Sequence, residues 1–507
     1  MESESTHFDA IVVGAGIAGP PLAAALSRRH RVLLVERDWT EPDRSECVEC
    51  SFYKHFLTCS QLLQPGGVRA LNELGFGDCL NDIDSVPVHG YCVIYNKEQV
   101  PIPYIVNKET SERYQGRSFH HGRFIQRLRQ SAKQKKGVST LQATVKSLLI
   151  DKEDTVHGIV TADGTQYTAP VTFIADGCFS NLRKSALKVA APARTCSWFV
   201  GLILHDCSLP MQHHGNVILG DDHACVLLYQ IGSNDVRILM DVRGPRPSIP
   251  TLPEHIKKSI LPHLPPSTHQ PLLNALNDPE QRLRIMPNSY MRPSARESNT
   301  RRGVVLVGDA HNQRHPLTGG GMTCALTDVN TLTRELGVRG GEEEVDAVDL
   351  RNWHAVQKCL HRWDSKRRST AGTVNTLSMA LYDLFSGDDD DLKVLRQGCF
   401  KYFLQGGDCI DGPVGLLSAV TPEPLVLFYH FFAVAFKSIA VLYSTTSSNV
   451  LVTTLRAIHV LKTACIVLLP TMVMELVPYP HHILKVILFS AFFILGVSIY
   501  VQSSLSS

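Results

Sequence analysis

Three glycines near the amino terminus have the spacing that a dinucleotide-binding loop requires. They occur in the run Gly14-Ala15-Gly16-Ile17-Ala18-Gly19, directly after the apolar segment 8–13. In such a loop Gly14 permits a tight turn, Gly16 leaves room for a pyrophosphate, and Gly19 lets the next helix pack on the strand. The amino terminus of that helix would attract the diphosphate. The next predicted strand, 31–35, ends at Glu36, which is placed to accept hydrogen bonds from an adenosine ribose.

Two later pairs of an acid and a glycine follow predicted strands and distinguish FAD from NAD. They are Asp176-Gly177, after the segment 172–175, and Gly308-Asp309, after 303–307. With the glycine loop they resemble the GxGxxG, DG and GD motifs of the flavoprotein monooxygenases related to p-hydroxybenzoate hydroxylase. That resemblance implies that Asp309 binds the ribityl chain of FAD. The alternative for Asp309 alone is a helix cap or turn residue, since aspartate is common in both.

Further motifs narrow the resemblance, and the chain resembles the squalene monooxygenase (squalene epoxidase) family over most of its length. These motifs are Gln64-Pro65-Gly66-Gly67, Phe119-His120-His121-Gly122-Arg123-Phe124-Ile125, Asp176-Gly177-Cys178-Phe179-Ser180, Arg314-His315-Pro316-Leu317-Thr318-Gly319-Gly320-Gly321-Met322 and Gly412-Pro413-Val414-Gly415-Leu416-Leu417-Ser418. The three consecutive glycines let the backbone approach a planar ligand closely. The predicted helix 323–336 would then direct the positive end of its dipole at a reduced flavin.

The resemblance assigns roles around FAD to particular residues. Beyond Gly14, Gly16 and Gly19, those implied in binding the adenosine half are Ile17, Ala18, Glu36, Arg37 and Arg44, with Val145 as a backbone contact beside the adenine. Those implied along the ribityl and flavin portions are Arg123, Asp309 and Met322. Tyr91 matches a tyrosine that the family places beside the flavin and the substrate pocket, and it is the catalytic candidate. The alternative for Tyr91 is a core tyrosine with a satisfied hydroxyl.

The resemblance also implies a reaction. The enzyme would use FAD, O2 and NADPH-derived electrons to epoxidise squalene to (S)-2,3-oxidosqualene in sterol or triterpenoid biosynthesis. The sequence has no second GxGxxG fingerprint, which agrees with electron supply by a separate NADPH–cytochrome P450 reductase. An apolar, closed pocket would bind the hydrocarbon and exclude water. Two alternatives stay open: an epoxidase of another isoprenoid in secondary metabolism, and a non-catalytic flavin-binding membrane paralogue.

The sequence departs from the family pattern in the segment 45–61, which is longer than its family counterpart. Cys47, Cys50 and Cys59 have a spacing that suggests zinc, but no suitable fourth ligand lies nearby in the sequence. A surface loop and a retained intron or gene-model error are the interpretations left open. Gln313 is a second departure, at a position where the family more often has an apolar residue.

The sequence predicts no metal site elsewhere. His311 and His315 lie four residues apart, but Arg314 between them and the glycines that follow suit a flavin loop better than a pair of metal ligands on a helix. His120 and His121 are interpreted as structural, because the implied chemistry requires no histidine base.

Composition and charge fit an α/β protein and give no reason to expect nucleic acid as a partner. The 507 residues are 44% hydrophobic and 19% charged, with a net charge of +2, whereas phosphate recognition normally brings a clustered basic surplus. The amino terminus is polar and acidic, without a secretory apolar segment. The 14 cysteines are therefore interpreted as mostly reduced thiols in a protein that faces the cytosol.

The carboxyl-terminal part is strongly apolar. The segment 425–442 has Lys437 as its single formal charge and 486–501 has none, whereas a spanning helix needs about 20 apolar residues. Pro470, Pro478 and Pro480 are expected to interrupt the region between 450 and 486. We interpret the carboxyl-terminal residues as membrane-associated helices; the alternative is an internal helical bundle. The resemblance implies the cytosolic face of the endoplasmic reticulum membrane, or lipid droplets.

These patterns together predict an α/β fold with three parts: a Rossmann-like FAD-binding domain, an interleaved mixed-sheet substrate domain and a carboxyl-terminal membrane-associated helical region. The expected limits are 1–90, 136–190 and 296–345 for the FAD-binding domain, 91–135 and 191–295 for the substrate domain, 346–424 for a helical region, and 425–507 for the hydrophobic helices.

Overall fold

The computed structural model describes residues 6–40, 62–188, 192–220, 225–279, 281, 283–292, 300–339, 347–387, 389–445 and 449–476. The strands are β1 (Ala10–Val13), β2 (Val32–Glu36), β3 (Leu62–Leu63), β4 (Val86–Val88), β5 (Gly90–Tyr95), β6 (Glu98–Pro103), β7 (Gly116–Ser118), β8 (Val138–Gln142), β9 (Val145–Ile150), β10 (Val156–Thr161), β11 (Gln166–Thr168), β12 (Val171–Ile174), β13 (Arg194–His205), β14 (His214–Leu219), β15 (Val226–Gln230), β16 (Asp235–Arg243), β17 (Arg284–Tyr290) and β18 (Val304–Leu306). The helices are α1 (Gly19–Leu26), α2 (Pro65–Glu73), α3 (His121–Lys133), α4 (Arg183–Ala186), α5 (Leu252–His255), α6 (His269–Asn277), α7 (Gly321–Glu335), α8 (Trp353–Ser386), α9 (Asp390–Phe403), α10 (Asp408–Leu417), α11 (Pro424–Thr445) and α12 (Val450–Leu476).

A five-stranded parallel sheet carries the glycine loop and both acid–glycine pairs. Its order is β18-β12-β1-β2-β8, and every neighbouring pair runs parallel. Successive side chains of a strand face opposite sides, so Ala10 and Val12 pack into the core with α1, α3 and α7, whereas Ile11 and Val13 pack on the other side against β9 and β10. The carboxyl ends of β1, β12 and β18 therefore meet at one edge, where an open α/β sheet binds its ligand.

A seven-stranded mixed sheet forms the second large layer. Its order is β17-β13-β16-β15-β14-β5-β6, and the β14–β5 pair is parallel while the other pairs are antiparallel. One face packs against α5 and α6, and the other packs against the carboxyl-terminal helices. Two smaller sheets have the orders β11-β10-β9 and β3-β7-β4. This arrangement confirms the predicted fold class, an α/β protein with a Rossmann-like sheet and a mixed sheet.

The carboxyl-terminal helices are packed onto the body of the protein through two tight contacts. Arg396 of α9 is buried and donates to the carbonyl oxygens of Leu384 at 3.0 Å, Gly387 at 2.6 Å and Gly220 at 2.9 Å, which fixes the turn between α8 and α9. A Cβ at Gly398 would lie 2.5 Å from the Cα of Ser438. Helices α9 and α11 therefore cross too closely for any side chain at position 398.

Helices α11 and α12 are 22 and 27 residues long, and both are long and apolar enough to cross a membrane. The expectation that Pro470 interrupts this region is wrong, because α12 continues through it. A proline in a helix leaves the carbonyl four residues earlier without a donor. That carbonyl belongs to Ile466, a residue at the surface with 60% of its area exposed. Pro478, Pro480 and the segment 486–501 lie outside the described residues.

Candidate active site

The glycine loop between β1 and α1 contains two glycines that packing requires and one that faces open space. Gly14 has a φ of +101°, and a Cβ there would lie 2.5 Å from the carbonyl oxygen of Ala175. A Cβ at Gly19 would collide with the carbonyl oxygen of Gly14. A Cβ at Gly16 would meet no described atom within 4 Å. The space in front of Gly16 thus fits a diphosphate at the amino terminus of α1.

Glu36, at the end of β2, accepts hydrogen bonds from two backbone N–H groups. Its Oε2 accepts a hydrogen bond from the backbone N–H of Ala15 at 2.7 Å, and its Oε1 accepts from that of Asp38 at 3.3 Å. The side chain is 13% exposed. A carboxylate oxygen has two lone pairs, so these bonds leave acceptor capacity for a ribose, and that contact stays a prediction.

Arg129 is a buried cation that the sequence reading did not identify. Its Nε donates to the carbonyl oxygen of Ala15 and its Nη1 to that of Asp38, both at 2.9 Å, and its Nη2 lies 3.6 Å from Glu36 Oε2. Burial lowers the pKa of Arg129, and the nearby Glu36 and Asp38 oppose that shift. A charged residue on the buried face of α3, between Leu128 and Ala132, was the available signal.

The GD segment lies directly against the glycine loop. Gly308 has a φ of +62°, and a Cβ there would lie 3.3 Å from the Cβ of Ala18. Asp309 follows in a short 3-10 turn with its side chain 42% exposed, and Nη2 of the buried Arg314 lies 3.7 Å from its Oδ1. The carboxyl group is reached by solvent but surrounded by protein, and this burial raises its pKa while Arg314 opposes the rise.

Arg314 also holds the three-glycine segment that leads into α7. Its Nη1 donates to the carbonyl oxygens of Gly320 at 3.3 Å and Gly321 at 3.0 Å, and its Nη2 donates to that of Asn312. One side chain thereby connects the GD turn to the start of α7. We refer to residues 308–321 as the flavin loop.

The DG segment after β12 contains a carboxyl group with a strongly shifted pKa. Burial raises the pKa of Asp176 to about 6, against the effect of hydrogen bonds that include one from Ser180. Its Oδ1 has no hydrogen-bond partner among the described residues. Neither do Gln313 Oε1, Arg314 Nε and Thr318 Oγ1, all in the flavin loop. Buried polar atoms normally have partners, so these residues and the space at Gly16 fit a polar ligand such as FAD.

Tyr91 is joined to the flavin loop by Gln64, which is fully buried. The Gln64 amide donates from Nε2 to the Tyr91 hydroxyl at 2.5 Å and to the carbonyl oxygen of Thr318 at 3.0 Å. The Tyr104 hydroxyl donates to Gln64 Oε1 at 2.7 Å. Burial raises the pKa of Tyr91, against the effect of Gln64 and Tyr104. Its hydroxyl therefore stays protonated at neutral pH.

A narrow cavity lies between the mixed sheet, which contains Tyr91 in β5, and the flavin loop. Its volume is about 40 Å³, and the lining includes Leu62, Tyr91, Leu227, Tyr229, Leu239 and Leu317. Thr318 and Gly319 of the flavin loop complete one wall. Pockets that enclose small molecules typically measure about 300–1,000 Å³, so admission of a large ligand requires the side chains here to move apart.

The remaining predicted site residues lie on several elements around the parallel sheet and beyond it. Ile17 and Ala18 directly precede α1, and Met322 is the buried second residue of α7 in the same core. Val145 begins β9, and Arg37 is exposed after β2. Arg123 lies on α3 with Nη1 3.9 Å from Asp84 Oδ2. Arg44 and the cysteines at 47, 50 and 59 lie outside the described residues.

His315 is held inside the protein by contacts on both ring nitrogens. Its Nδ1 accepts from the backbone N–H of Leu317 at 3.3 Å, and its Nε2 lies 3.2 Å from Ser197 Oγ. The ring stacks on Tyr382 at a centroid distance of 4.2 Å. Burial, assisted by Arg243, lowers the pKa of His315 to about 3. A neutral imidazole therefore supports the turn at Leu317.

Comparison with known proteins resolves the family. Residues 168–458 match the model of the squalene epoxidase family, and residues 9–195 match that of glucose inhibited division protein A. A squalene monooxygenase from Mus musculus is 40% identical over 94% of this chain and 80% of its own. A squalene epoxidase from Aspergillus fumigatus is 40% identical over 92% of this chain and 94% of its own.

The chain belongs to the squalene epoxidase family. A squalene epoxidase from Saccharomyces cerevisiae is 39% identical over 85% of this chain and 88% of its own. Relatives in fungi, plants and mammals match most of the chain. The similarity of this squalene epoxidase family member to its relatives therefore extends well beyond the short motifs.

Solved structures agree on the fold. A probable FAD-dependent monooxygenase from Pseudomonas aeruginosa superimposes with a TM-score of 0.60 at 17% identity, covering 79% of this chain and 100% of that one. The flavin-dependent brominase Bmp2 superimposes with a TM-score of 0.61 at 14% identity, covering 84% of this chain and 98% of that one. At such low identity these likenesses concern the architecture alone.

The two glycines Gly16 and Gly19 should respond differently to alanine. Gly16→Ala adds a methyl group to open space, so we expect unchanged stability without FAD and FAD binding weakened roughly tenfold or more, because the pyrophosphate is excluded. Gly19→Ala collides with a carbonyl oxygen, so we expect a loss of about 1–3 kcal/mol in the free energy of unfolding. Fluorescence titration with FAD and urea unfolding measure the two effects. Equal destabilisation by both variants would contradict this assignment.

Asp176→Asn should change how stability depends on pH. Because burial raises the folded-state pKa of Asp176 from 3.8 to about 6, wild-type stability falls as pH rises through that interval and levels off above it. Asparagine does not titrate, so in FAD-free protein the variant should gain up to about 2–3 kcal/mol on wild type between pH 4 and pH 7.5. Urea unfolding at both pH values measures the gain. Asp82→Asn, at an exposed carboxyl group, is the control, and a gain of equal size there would count against the cause given.

Proposed function

We propose that this chain is an FAD-dependent squalene monooxygenase that converts squalene and O2 to (S)-2,3-oxidosqualene with electrons from NADPH, in sterol or triterpenoid biosynthesis. Family membership supports the reaction. The observation that carries it is the hydrogen-bonded path from Tyr91 through Gln64 to Thr318. The path lies beside the apolar cavity whose wall is completed by Thr318 and Gly319 of the flavin loop, so an alkene in that cavity would lie next to the flavin.

FAD would supply the reduction of O2 and the transfer of one oxygen atom to the alkene. The glycine loop and the amino terminus of α1 would hold its diphosphate, and Asp309 would bind the ribityl chain. Arg314 contacts both Asp309 and the three-glycine segment and so fixes their relative position. The apolar cavity would then place an alkene beside the flavin and exclude water. Tyr91 remains protonated, so its hydroxyl acts as a hydrogen-bonding group and not as a base.

A separate NADPH–cytochrome P450 reductase is the proposed electron donor. The single GxGxxG fingerprint of the chain is used by FAD in this assignment. The proposed place is the cytosolic face of the endoplasmic reticulum membrane, or lipid droplets, where a water-insoluble hydrocarbon accumulates. Both assignments rest on the resemblance to the family and on the apolar helices α11 and α12.

We propose further that α11 and α12 lie in the plane of one leaflet. Leu451, Leu455 and Ile458 on α12 are 55–67% exposed, while Val460, Ala464 and Leu468 of the same helix are fully buried in the protein. One face therefore packs on the body and the other is free for lipid. An in-plane helix with this division buries its apolar face at the headgroup boundary.

Polar groups at the middle of α12 support the in-plane orientation. Arg456, His459 and Lys462 are exposed, and Thr463 donates to Asp391 of the exposed start of α9 at 3.0 Å. In a spanning helix Lys462 would lie near the middle of the hydrocarbon, where a charge costs about 2.5–3.5 kcal/mol or more. In an interfacial helix these charges reach the headgroups.

The reaction is tested by mass spectrometry of lipid products. Detergent-solubilised protein with FAD, NADPH, reductase and squalene should yield squalene plus one oxygen atom, and omission of any component should abolish it. Tyr91→Phe should bind FAD normally but lower kcat by roughly tenfold, since the Gln64 amide then lacks an acceptor. A flavin-loaded protein that makes no such product, but oxygenates another isoprenoid, would favour that substrate. No product from either would favour a non-catalytic paralogue.

The membrane proposal is tested by flotation with lipid vesicles. The double variant Leu451→Ser/Leu455→Ser should bind phosphatidylcholine vesicles roughly tenfold or more weakly, because two exposed leucines no longer enter the lipid. Ile249→Ser, at an exposed isoleucine outside helices α11 and α12, is the matched control and should bind normally. Arg456→Glu/Lys462→Glu should lose binding chiefly to vesicles with anionic lipid. Equal flotation of every variant would refute the in-plane face.

A further inference from the structure

The apolar helix α12 ends in one buried carboxyl group. Glu475 is the only acidic residue of α12, and it is 3% exposed. Its Oε1 accepts a hydrogen bond from the Tyr290 hydroxyl at 3.0 Å, and its Oε2 accepts from Asn375 Nδ2 at 2.9 Å. A buried carboxyl group is costly unless it is hydrogen-bonded. If α12 served only to attach the protein to lipid, an apolar residue at position 475 would avoid the free-energy cost of burying a carboxyl group.

The contact of Glu475 continues into the flavin loop. Asn375 of α8, which is fully buried, also donates from Nδ2 to Asn312 Oδ1 at 2.9 Å. An amide nitrogen carries two protons, and these two bonds use both of them. The orientation of the Asn375 amide is thus fixed from one side by α12 and from the other by the loop.

Asn312 connects this series of hydrogen bonds to the residues that would bind FAD. Its carbonyl oxygen accepts from Arg314 Nη2, and the same guanidinium faces Asp309 at 3.7 Å. The close packing of α8 and α12 at this end supports the connection, since a Cβ at Gly372 would lie 2.7 Å from Leu476 Cδ2 and 3.1 Å from the Glu475 carbonyl oxygen. A shift of α12 would therefore reach the flavin loop through two side-chain amides.

We propose that Glu475 is a positioning residue that couples the pair of apolar helices α11 and α12 to the flavin loop. Its carboxyl group orients Asn375, Asn375 orients Asn312, and Asn312 with Arg314 sets the position of Asp309. Tight FAD binding thus requires that α12 be packed on α8 with Glu475 in contact with Asn375. This inference rests on the proposed function, because the ligand of the loop is taken to be FAD.

The test compares three substitutions on the full-length protein in detergent. Glu475→Ala should weaken FAD binding by about tenfold, as expected for the loss of a buried hydrogen bond, and should shift the visible absorption of bound flavin. Glu475→Gln keeps an acceptor for Asn375 and should stay within about threefold of wild type. Thr463→Val removes a different polar contact of α12, to Asp391, and should leave FAD binding and the flavin spectrum unchanged even if it lowers the melting temperature.

A second variant covers the possibility that Glu475→Ala fails to fold. Asn375→Ser leaves the Tyr290–Glu475 bond in place but breaks the connection to Asn312, and it should weaken FAD binding to a similar degree. The inference is overturned if Glu475→Ala or Asn375→Ser binds FAD as wild type does with the same spectrum. It is also overturned if Thr463→Val weakens FAD binding as much as they do. Wild-type protein that binds no FAD would instead contradict the proposed function.

Discussion

The close approach of three backbone segments at the carboxyl edge of the parallel sheet is the constraint on which the site depends. No Cβ fits at Gly14 against Ala175, nor at Gly19 against Gly14. These contacts hold the glycine loop against the DG turn, and the pairing of β18 with β12 brings the GD turn to the same edge. Because backbone packs on backbone there, the position of the nucleotide site follows from the sheet itself and depends little on side-chain conformation.

A second level of order comes from buried polar side chains that each connect several backbone segments. Arg129 joins the glycine loop to the end of β2, and Arg314 joins the GD turn to the start of α7. Gln64 joins Tyr91 to the flavin loop. Each uses several donors or acceptors at once, which offsets the desolvation of a buried polar group. They hold the loops in place while the glycines leave space for a ligand.

The carboxyl-terminal helices contribute to the core and also expose apolar side chains at the surface. Val460, Ala464 and Leu468 are fully buried, and Glu475 reaches the polar chain behind the flavin loop. The buried face agrees with the internal bundle, and membrane association is the proposal made for the exposed face of the same helices. Removal of the helices would expose part of the core, which is why the membrane proposal is better probed by substitutions on the exposed face.

The sequence by itself determined the nucleotide loop, the strands that lead into it and into the two acid–glycine turns, and the family, because each of these depends on short contiguous patterns. The loop geometry follows from glycines a few residues apart, and the buried strands follow from local apolar runs. Only the tertiary structure decided which side chains complete the site. Gln64 is 27 residues from Tyr91 and 254 from Thr318, and Asn375 is 100 residues from Glu475. Such pairs leave no local pattern, since they depend on how separate helices and sheets pack, and the course of α12 through Pro470 was missed for the same reason.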